Sequence, residues 1–350
     1  IKILPNRYSD AASYAGLARE VAAVLETKVV PRLRSGTKKF QKAGGMLDLV
    51  VEVEERGLCP RYMARYFEIE ANAPTPTWMR EALEASGMRS INAVVDIMNY
   101  VMMETGQPMH AFDADKLKGI VVRRARAGEK IETLDGGRYE LHGDDLVIAD
   151  GGQALAIAGV KGGRHAEVSQ KTVRIIVESA NFDGYSVYRA SKRHKLSTDA
   201  SVRFSHRLAP VLAEAGMLRA TELLAEIAGA RVGEVYDVYG KKQKPVTLKF
   251  SINDFMALTG ITMREKDALD YLRRLGFKVA GNRVTAPPER TDIERFEDLA
   301  EEITRLYGYD KLPSTPPTRA LAPTKHDDPV LLKDLIKNLL FVKNQRNVWA

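Results

Sequence analysis

The chain has a single cysteine, Cys59, in 350 residues. A lone thiol makes no intrachain disulfide and no multi-cysteine zinc site, so nothing here points to an oxidising compartment. No window approaches 18 uncharged apolar residues, which excludes a membrane-spanning helix. Ile1 to Asn6 lack the basic, apolar and small-residue regions of a signal peptide. Also missing are H-E-x-x-H, G-x-S-x-G, Walker and kinase signatures, and any repeat of about 20 to 50 residues. What is present is an ordinary globular balance, 45% apolar and 28% charged. With 53 basic and 46 acidic residues the net charge is +7, a mild basic bias of the kind that suits an anionic partner such as nucleic acid. The length is that of two or three domains. The chain starts at Ile1 rather than Met, and an apolar-periodic helix from Val330 to Phe341 runs into Asn344–Asn347 and stops, so it reads as a piece of a longer protein.

Ser13 to Leu25 keeps a helical rhythm through Tyr14, Leu17, Val21, Val24 and Leu25. Lys28 to Gly45 carries six Lys or Arg without a period and reads as a basic linker. From Leu47 short strands dominate: Leu47–Val53, Tyr62–Ile69, Ile120–Arg126, Ile131–Leu134, Arg138–Leu141, Leu146–Ala149, Ala154–Ala158 and Val173–Val177. Asp135-Gly136-Gly137 makes a tight hairpin, a helix lies between Pro76 and Gly87, and a long one spans Pro210–Ala228, closed by Gly229. Past the charged joint Lys241–Pro245 comes a strand (Val246–Phe250), a helix (Asn253–Leu258), and a second helix opened by a capping-box spacing, Thr262 to Glu265. A hairpin at Ala280–Asn282 and a helix Phe296–Tyr307 complete a winged-helix-like layout, followed by the proline-rich linker Pro313–Pro323. The expected fold class is α+β and multidomain. A remnant of an N-terminal domain (1–30) and the linker (31–46) lead to a large mixed α/β domain (47–240). A winged-helix-like domain (245–312) and a truncated C-terminal piece (313–350) follow.

Four carboxylates form the sharpest charge pattern. Asp298, Glu301 and Glu302 are i, i+3 and i+4 on one helix face, and Asp292 precedes the first turn. Converging oxygen donors suit a hard divalent cation, Mg2+ before Zn2+; the plain alternative is a solvated acidic face. Gln107-Pro108-Met109-His110-Ala111-Phe112-Asp113 follows an apolar run, Val94–Met103, that holds Asp96 and Asn99. His110 is either a packed histidine or a catalytic one. Gly159, Gly162 and Gly163 form a glycine turn without a nucleotide-loop pattern. Glu178 ends the apolar strand Arg174–Val177, where a buried carboxylate must be paired or used for recognition. Arg189, Lys192, Arg193, His194, Lys195 and Arg203 are a basic run, either a solvated face or a phosphate-contacting patch.

Taken in order, these segments resemble the beta subunit of phenylalanine–tRNA ligase. The resemblance rests on Pro5-Asn6-Arg7 with Ser13, Gly16 and Ala18-Arg19-Glu20, on Val94 to Val101, and on Gly106 to Asp113. It continues through Leu134-Asp135-Gly136, Ile148–Asp150, Ala158-Gly159-Val160, Glu178–Asp183, and Asp292, Asp298, Glu301-Glu302 and Tyr307–Asp310. It implies a cytoplasmic subunit that works with an alpha subunit as (αβ)2. That assembly attaches phenylalanine to its tRNA with ATP and Mg2+, while the middle domain hydrolyses tyrosine wrongly joined to that tRNA. The editing-pocket pattern maps onto Asn99, His110, Gly159, Gly162, Glu178 and Ala200, and the Mg2+ pattern onto Asp292, Asp298, Glu301 and Glu302.

Three departures stand out. Met98 replaces a usual threonine beside Asn99, Lys161 replaces a usual methionine in the glycine turn, and an inserted domain near the first helix is replaced by the basic stretch. A non-catalytic tRNA-docking module with a degenerate pocket is therefore the competing reading, favoured by Met98 and Lys161 and opposed by His110 and Glu178. A metal-dependent phosphoesterase site lacks a second ligand set or a nucleophile.

Overall fold

The computed structural model describes residues 2–29, 40–44, 49–70, 73–312 and 328–346. Most of the basic linker and the whole proline-rich linker lie outside the described residues. Helices α1 (Tyr8–Ala11) and α2 (Tyr14–Val24) precede strands β1 (Val50–Val53) and β2 (Arg61–Glu68), helices α3 (Thr77–Ala85) and α4 (Ala93–Thr105), and strand β3 (Met109–Asp113). Then come β4 (Gly119–Arg124), β5 (Lys130–Glu132), β6 (Arg138–Glu140), β7 (Leu146–Asp150), β8 (Gln153–Ile157), β9 (Lys161–Gly162) and β10 (Arg174–Asn181). Helices α5 (Gly184–His194), α6 (Asp199–Ser205) and α7 (Val211–Ile227) lead to β11 (Arg231–Tyr239). The last part holds β12 (Thr247–Lys249), α8 (Ile252–Thr259), α9 (Glu265–Arg274), β13 (Lys278–Ala280), β14 (Arg283–Thr285), α10 (Phe296–Tyr307) and α11 (Asp328–Arg346). Residues 1–311 make one compact unit; α11 belongs to a second, in which Leu331, Leu335 and Leu339 are exposed.

The centre is an antiparallel sheet of order β11-β2-β10-β3. Side chains alternate across a strand, and here both faces are covered. Tyr62, Ala64 and Tyr66 of β2, with Ile176 and Ala180 of β10, join the core shared with the five-stranded sheet β1-β4-β7-β8-β9. Met63, Phe67, Ile175 and Val177 face α3, α4 and α7 instead. The mixed α+β class follows directly: three layers, helices on one side of the central sheet and a second sheet on the other.

The apolar run after Asn92 is α4, capped by the Asn92 side chain and ended by Gly106 in the left-handed conformation. Val94, Ile97, Met98 and Val101 are buried against the sheet. Asp96, fully buried, accepts hydrogen bonds from Thr75 Oγ1, Ser90 Oγ and the Ile91 backbone N–H, so it fastens the loop ahead of the helix. Towards the C-terminus, β12, β14 and β13 pair as a small sheet beside α8, α9 and α10. The expected capping box at Thr262 is not formed. Helix α9 starts at Glu265 after Arg264, whose guanidinium forks onto Asp267 at 2.7 and 2.9 Å and braces the first turn from outside.

A buried charge network joins the N-terminal helices to α10. Arg7 reaches Asp10 (2.6 Å), Glu20 (2.5 Å) and Glu302 (3.5 Å). Arg290 reaches Asp292 (2.7 Å) and Glu302 (3.0 Å), and Arg305 reaches Glu20 (2.6 Å) and Glu302 (2.8 Å). Burial alone would raise the Glu302 pKa, but the Arg290 and Arg305 guanidiniums hold it down to about 2. Removing one partner of a buried ion pair leaves a stranded charge, which costs about 3–5 kcal/mol. Arg290→Met is therefore expected to lower unfolding free energy by about that much at pH 7, read from urea denaturation. The Glu302 contribution is complete above its unfolded value of 4.5 and is lost as pH falls through about 2. The wild type should lose stability across that acid window, and Arg290→Met should lose less.

Candidate active site between the two sheets

Where β3 pairs with β10, His110 lies directly opposite Glu178. The strand that sequence reading ended at Val177 continues to Asn181, so Glu178 stands mid-strand rather than at an exposed end. By alternation it faces the layer between the two sheets, with Ile176 and Ala180. There a cavity of about 80 Å³ is lined by His110, Gly159, Gly162, Glu178, Ala200 and Lys161, among apolar neighbours that include Phe182 and Phe204.

Each wall has a local cause. Gly159 sits at φ +69°, and a Cβ there would fall 2.9–3.1 Å from Val187, Phe204 and Phe182, so glycine is required on both grounds. A Cβ on Gly162 would come within 2.7 Å of the His110 ring; the missing side chain is the space the imidazole occupies. The turn between these glycines is pinned from α6. Thr198, the α6 cap, accepts from the Ser201 N–H and donates to the Val160 carbonyl at 2.9 Å. That bond brings Ala200 to the cavity wall.

The electrostatics are those of buried groups. Burial pushes the Glu178 carboxyl up to about 8, and burial lowers the His110 imidazole to about 4. At neutral pH both are therefore mainly uncharged, an acid able to donate and accept and an imidazole able to accept. No hydrogen bond or ion pair reaches the Glu178 carboxyl among the described residues. Behind it lie Cys59 and Tyr62, whose pKa values are raised by burial and by Glu178, and the Tyr62 hydroxyl has no hydrogen-bond partner among the described residues. A buried carboxyl left without a partner beside a cavity is poised for a ligand hydroxyl.

A family model for the B3/4 domain matches residues 58–229, and one for the tRNA synthetase B5 domain matches residues 248–309. The phenylalanine–tRNA ligase beta subunit of Pectobacterium atrosepticum is 39% identical over 349 residues, covering 97% of this chain and 43% of that protein. That of Moorella thermoacetica is 42% identical over 333 residues, covering 93% and 41%. That of Geobacter metallireducens is 41% identical over 340 residues, covering 93% and 42%. The chain belongs to the phenylalanine–tRNA ligase beta subunit family. It spans less than half the length of these family members. A solved N-terminal fragment of the phenylalanyl-tRNA synthetase beta-subunit from Pyrococcus horikoshii aligns with a TM-score of 0.43 at 16% identity, over 87% of this chain and 85% of that one.

Of the residues drawn from the family's editing pattern, His110, Gly159, Gly162, Glu178 and Ala200 come together; Asn99 does not line the cavity. It sits on α4, across the central sheet, and Met98 beside it is packed in the helix-side core. Lys161 is at the cavity, its ammonium 3.1 Å from Asp135, whose own pKa is held to about 2 by the Thr133 hydroxyl and Lys161. Unforeseen from sequence were the aromatic walls Phe182 and Phe204, which pack edge to face. Their signal was there, since each sits one or two residues from a helix boundary in an otherwise polar stretch.

The acidic cluster is arranged otherwise than expected. Arg290 sits between Asp292 and Glu302, Asp298 turns back to accept the Glu294 and Arg295 backbone N–H groups at 2.7 and 2.8 Å, and Glu301 is exposed. No group of three or more His, Cys, Asp or Glu able to hold a metal ion occurs among the described residues. Arginines and a helix start already use three of the four carboxylates, so as placed here they form no common donor set for the expected Mg2+. The basic run is partly self-paired: Arg193 and His194 hold buried Asp145, Arg189 lies 3.4 Å from Asp144, and Arg203 pairs with Asp199. No helix among the described residues is long and apolar enough to cross a membrane.

A carboxyl whose folded pKa lies above its unfolded 4.5 favours the folded state below 4.5 and loses that advantage as pH rises through about 8. Glu178→Gln is therefore expected to match wild type near pH 4.5 and to outlast it increasingly toward pH 8, by up to about 1.4 kcal/mol per pH unit. Urea titrations at pH 5 and 8 check the divergence, and parallel curves would refute it.

Proposed function

We propose that the cavity between the sheets hydrolyses tyrosine wrongly esterified to the tRNA for phenylalanine. The chain would act within a beta subunit that, beside an alpha subunit in an (αβ)2 assembly, serves ATP-dependent attachment of phenylalanine in the cytoplasm. The domain carrying this task would be 47–240, with 245–312 as the winged-helix-like domain after it. One observation carries the reading: an unpartnered buried carboxyl, Glu178, paired in register with His110 at a cavity whose floor is glycine.

The chemistry asked of the site is small. Water adds through its oxygen to the ester carbonyl carbon, the bond to the terminal ribose oxygen breaks, and that oxygen takes up a proton, leaving free tyrosine and uncharged tRNA. Glu178 serves selection. Its neutral carboxyl bonds the phenolic hydroxyl, whereas a phenylalanine ring would leave it unpaired, a loss of about 1–3 kcal/mol. His110, uncharged at neutral pH, orients the attacking water. The backbone N–H groups of the Gly159–Gly162 turn are assigned to the developing oxyanion. No step runs through Mg2+, since the α10 carboxylates fit no ion. A docking module without hydrolysis is the second reading, and the placement of Asn99 away from the cavity favours it.

The test is release of labelled tyrosine from mischarged tRNA by the purified chain. The wild type should exceed the buffer rate and spare the phenylalanyl ester. His110→Ala should slow release with its preference intact. Glu178→Ala should reduce the tyrosine preference roughly tenfold or more, as expected for one lost buried hydrogen bond. Release at the buffer rate, with tRNA still bound, would favour the docking module.

A further inference from the structure

Gln107 precedes β3 and is fully buried. Its side-chain Nε2 donates to two carbonyls, those of Pro108 and of Ala180, each at 2.8 Å. These bonds do something the backbone cannot. The β3–β10 ladder runs from Asp113 opposite Ile175 to Met109 opposite Ser179. The next residue outward on β3 is Pro108, which has no N–H to give. The Gln107 amide supplies the missing donors and continues the junction one step beyond the last pair. Counting two residues inward from each bridged carbonyl gives His110 on β3 and Glu178 on β10, the two groups that face each other at the cavity.

The surroundings are fitted to this side chain. A Cβ on Gly216, within α7, would lie 2.7 Å from Gln107 Cγ and 3.3 Å from Met109 Sδ, so a glycine stands mid-helix where the amide enters. The Gln107 backbone N–H donates to Thr105 Oγ1, which in turn donates to the Val101 carbonyl, anchoring the segment to the end of α4. Gln107 Oε1 has no partner among the described residues. Reversing the amide would set that oxygen against two carbonyl oxygens, so the donors fix its orientation.

We propose that Gln107 is a positioning residue: its amide bridge past Pro108 holds the ends of β3 and β10 together and so sets His110 against Glu178 for the hydrolysis proposed above. The inference rests on that reading for its kinetic consequence but has a readout of its own. Besides His110, the titratable groups lining the cavity are Glu178 on β10 and Lys161 on β9.

Gln107→Met keeps the length and removes the donors. Its control is Ser179→Ala, which removes a different buried hydrogen bond from β10, the 2.7 Å bond from Ser179 Oγ to the Ala213 carbonyl. Two measurements are made on the whole chain: kcat and KM for tyrosine and phenylalanine release, and the His110 ring titration by NMR. Gln107→Met should lower kcat for tyrosine at least tenfold with KM for the charged tRNA nearly unchanged, and narrow the preference for tyrosine. It should also move the His110 titration from about 4 toward its ordinary 6.5. Ser179→Ala should do neither. If the two variants behave alike in kcat, preference and titration, the inference is overturned. If the wild type releases no tyrosine, the hydrolytic reading fails and the titration alone decides. A shift confined to Gln107→Met then upholds the positioning role, and no shift ends it. Should Gln107→Met not fold, Gln107→Asn, an amide too short to span both carbonyls, is read by the same criteria.

Discussion

Strand β10 has core on both sides and hydrogen-bonded neighbours on both edges, β2 and β3. From Ile175 to Asn181 its residues are buried, so each side chain must either fill space or find a partner inside. Ile175, Ile176, Val177 and Ala180 fill space, Ser179 bonds the Ala213 carbonyl, and Asn181 bonds the Leu208 carbonyl. Glu178 does neither. Its raised protonation follows from burial in that strand, while the glycines beside it make room for the His110 ring and the aromatic walls. The cost in folding free energy is the kind a protein carries where a ligand is to complete the set.

The same residue type meets the opposite fate in the charge network. Glu302 is as buried as Glu178, yet its pKa falls where that of Glu178 rises, because three guanidiniums surround it. Burial sets the penalty in both cases, and the available cations decide the sign. Four carboxylates in a sequence therefore do not identify a metal site until the positions of the arginines are known.

That contrast explains what was legible. Helices α7 and α10 read directly from apolar spacing, as did the β5–β6 hairpin at its Asp-Gly-Gly turn. In contrast, α2 is a helix whose rhythm residues Tyr14, Val21, Val24 and Leu25 are exposed, its buried positions being Gly16, Ala22 and Ala23. The mixed class and the membership of the family were legible too. The identities of His110, Glu178 and the glycines came with the family's motifs, but their adjacency depended on strand register, which no local pattern encodes. Asn99 shows the reverse case, near His110 in the chain yet on the far side of a sheet. Of the arginine partners of Glu302, Arg305 lies at a readable i+3 spacing on α10, whereas Arg7 lies at the other end of the unit, and a contact across that distance leaves no periodicity to detect. Gln107 was read only as part of a motif, since its purpose appears when the proline beside it is seen to lack a donor.

The strand order has a consequence for how the chain comes into being. β2 is bonded on one edge to β10 and on the other to β11, whose Tyr239 pairs with Arg61. During synthesis β2 emerges early and must wait, one edge until β10 is complete at Asn181 and the other until the chain has been extended past Tyr239. Long-range pairing of this sort is slow to nucleate and leaves strand edges open to wrong partners. Helices α3 and α4 arise immediately after β2 and cover its apolar residues Met63 and Phe67 in the finished fold. They are the first segments available to shield that face of the nascent strand while its neighbours are still to be made.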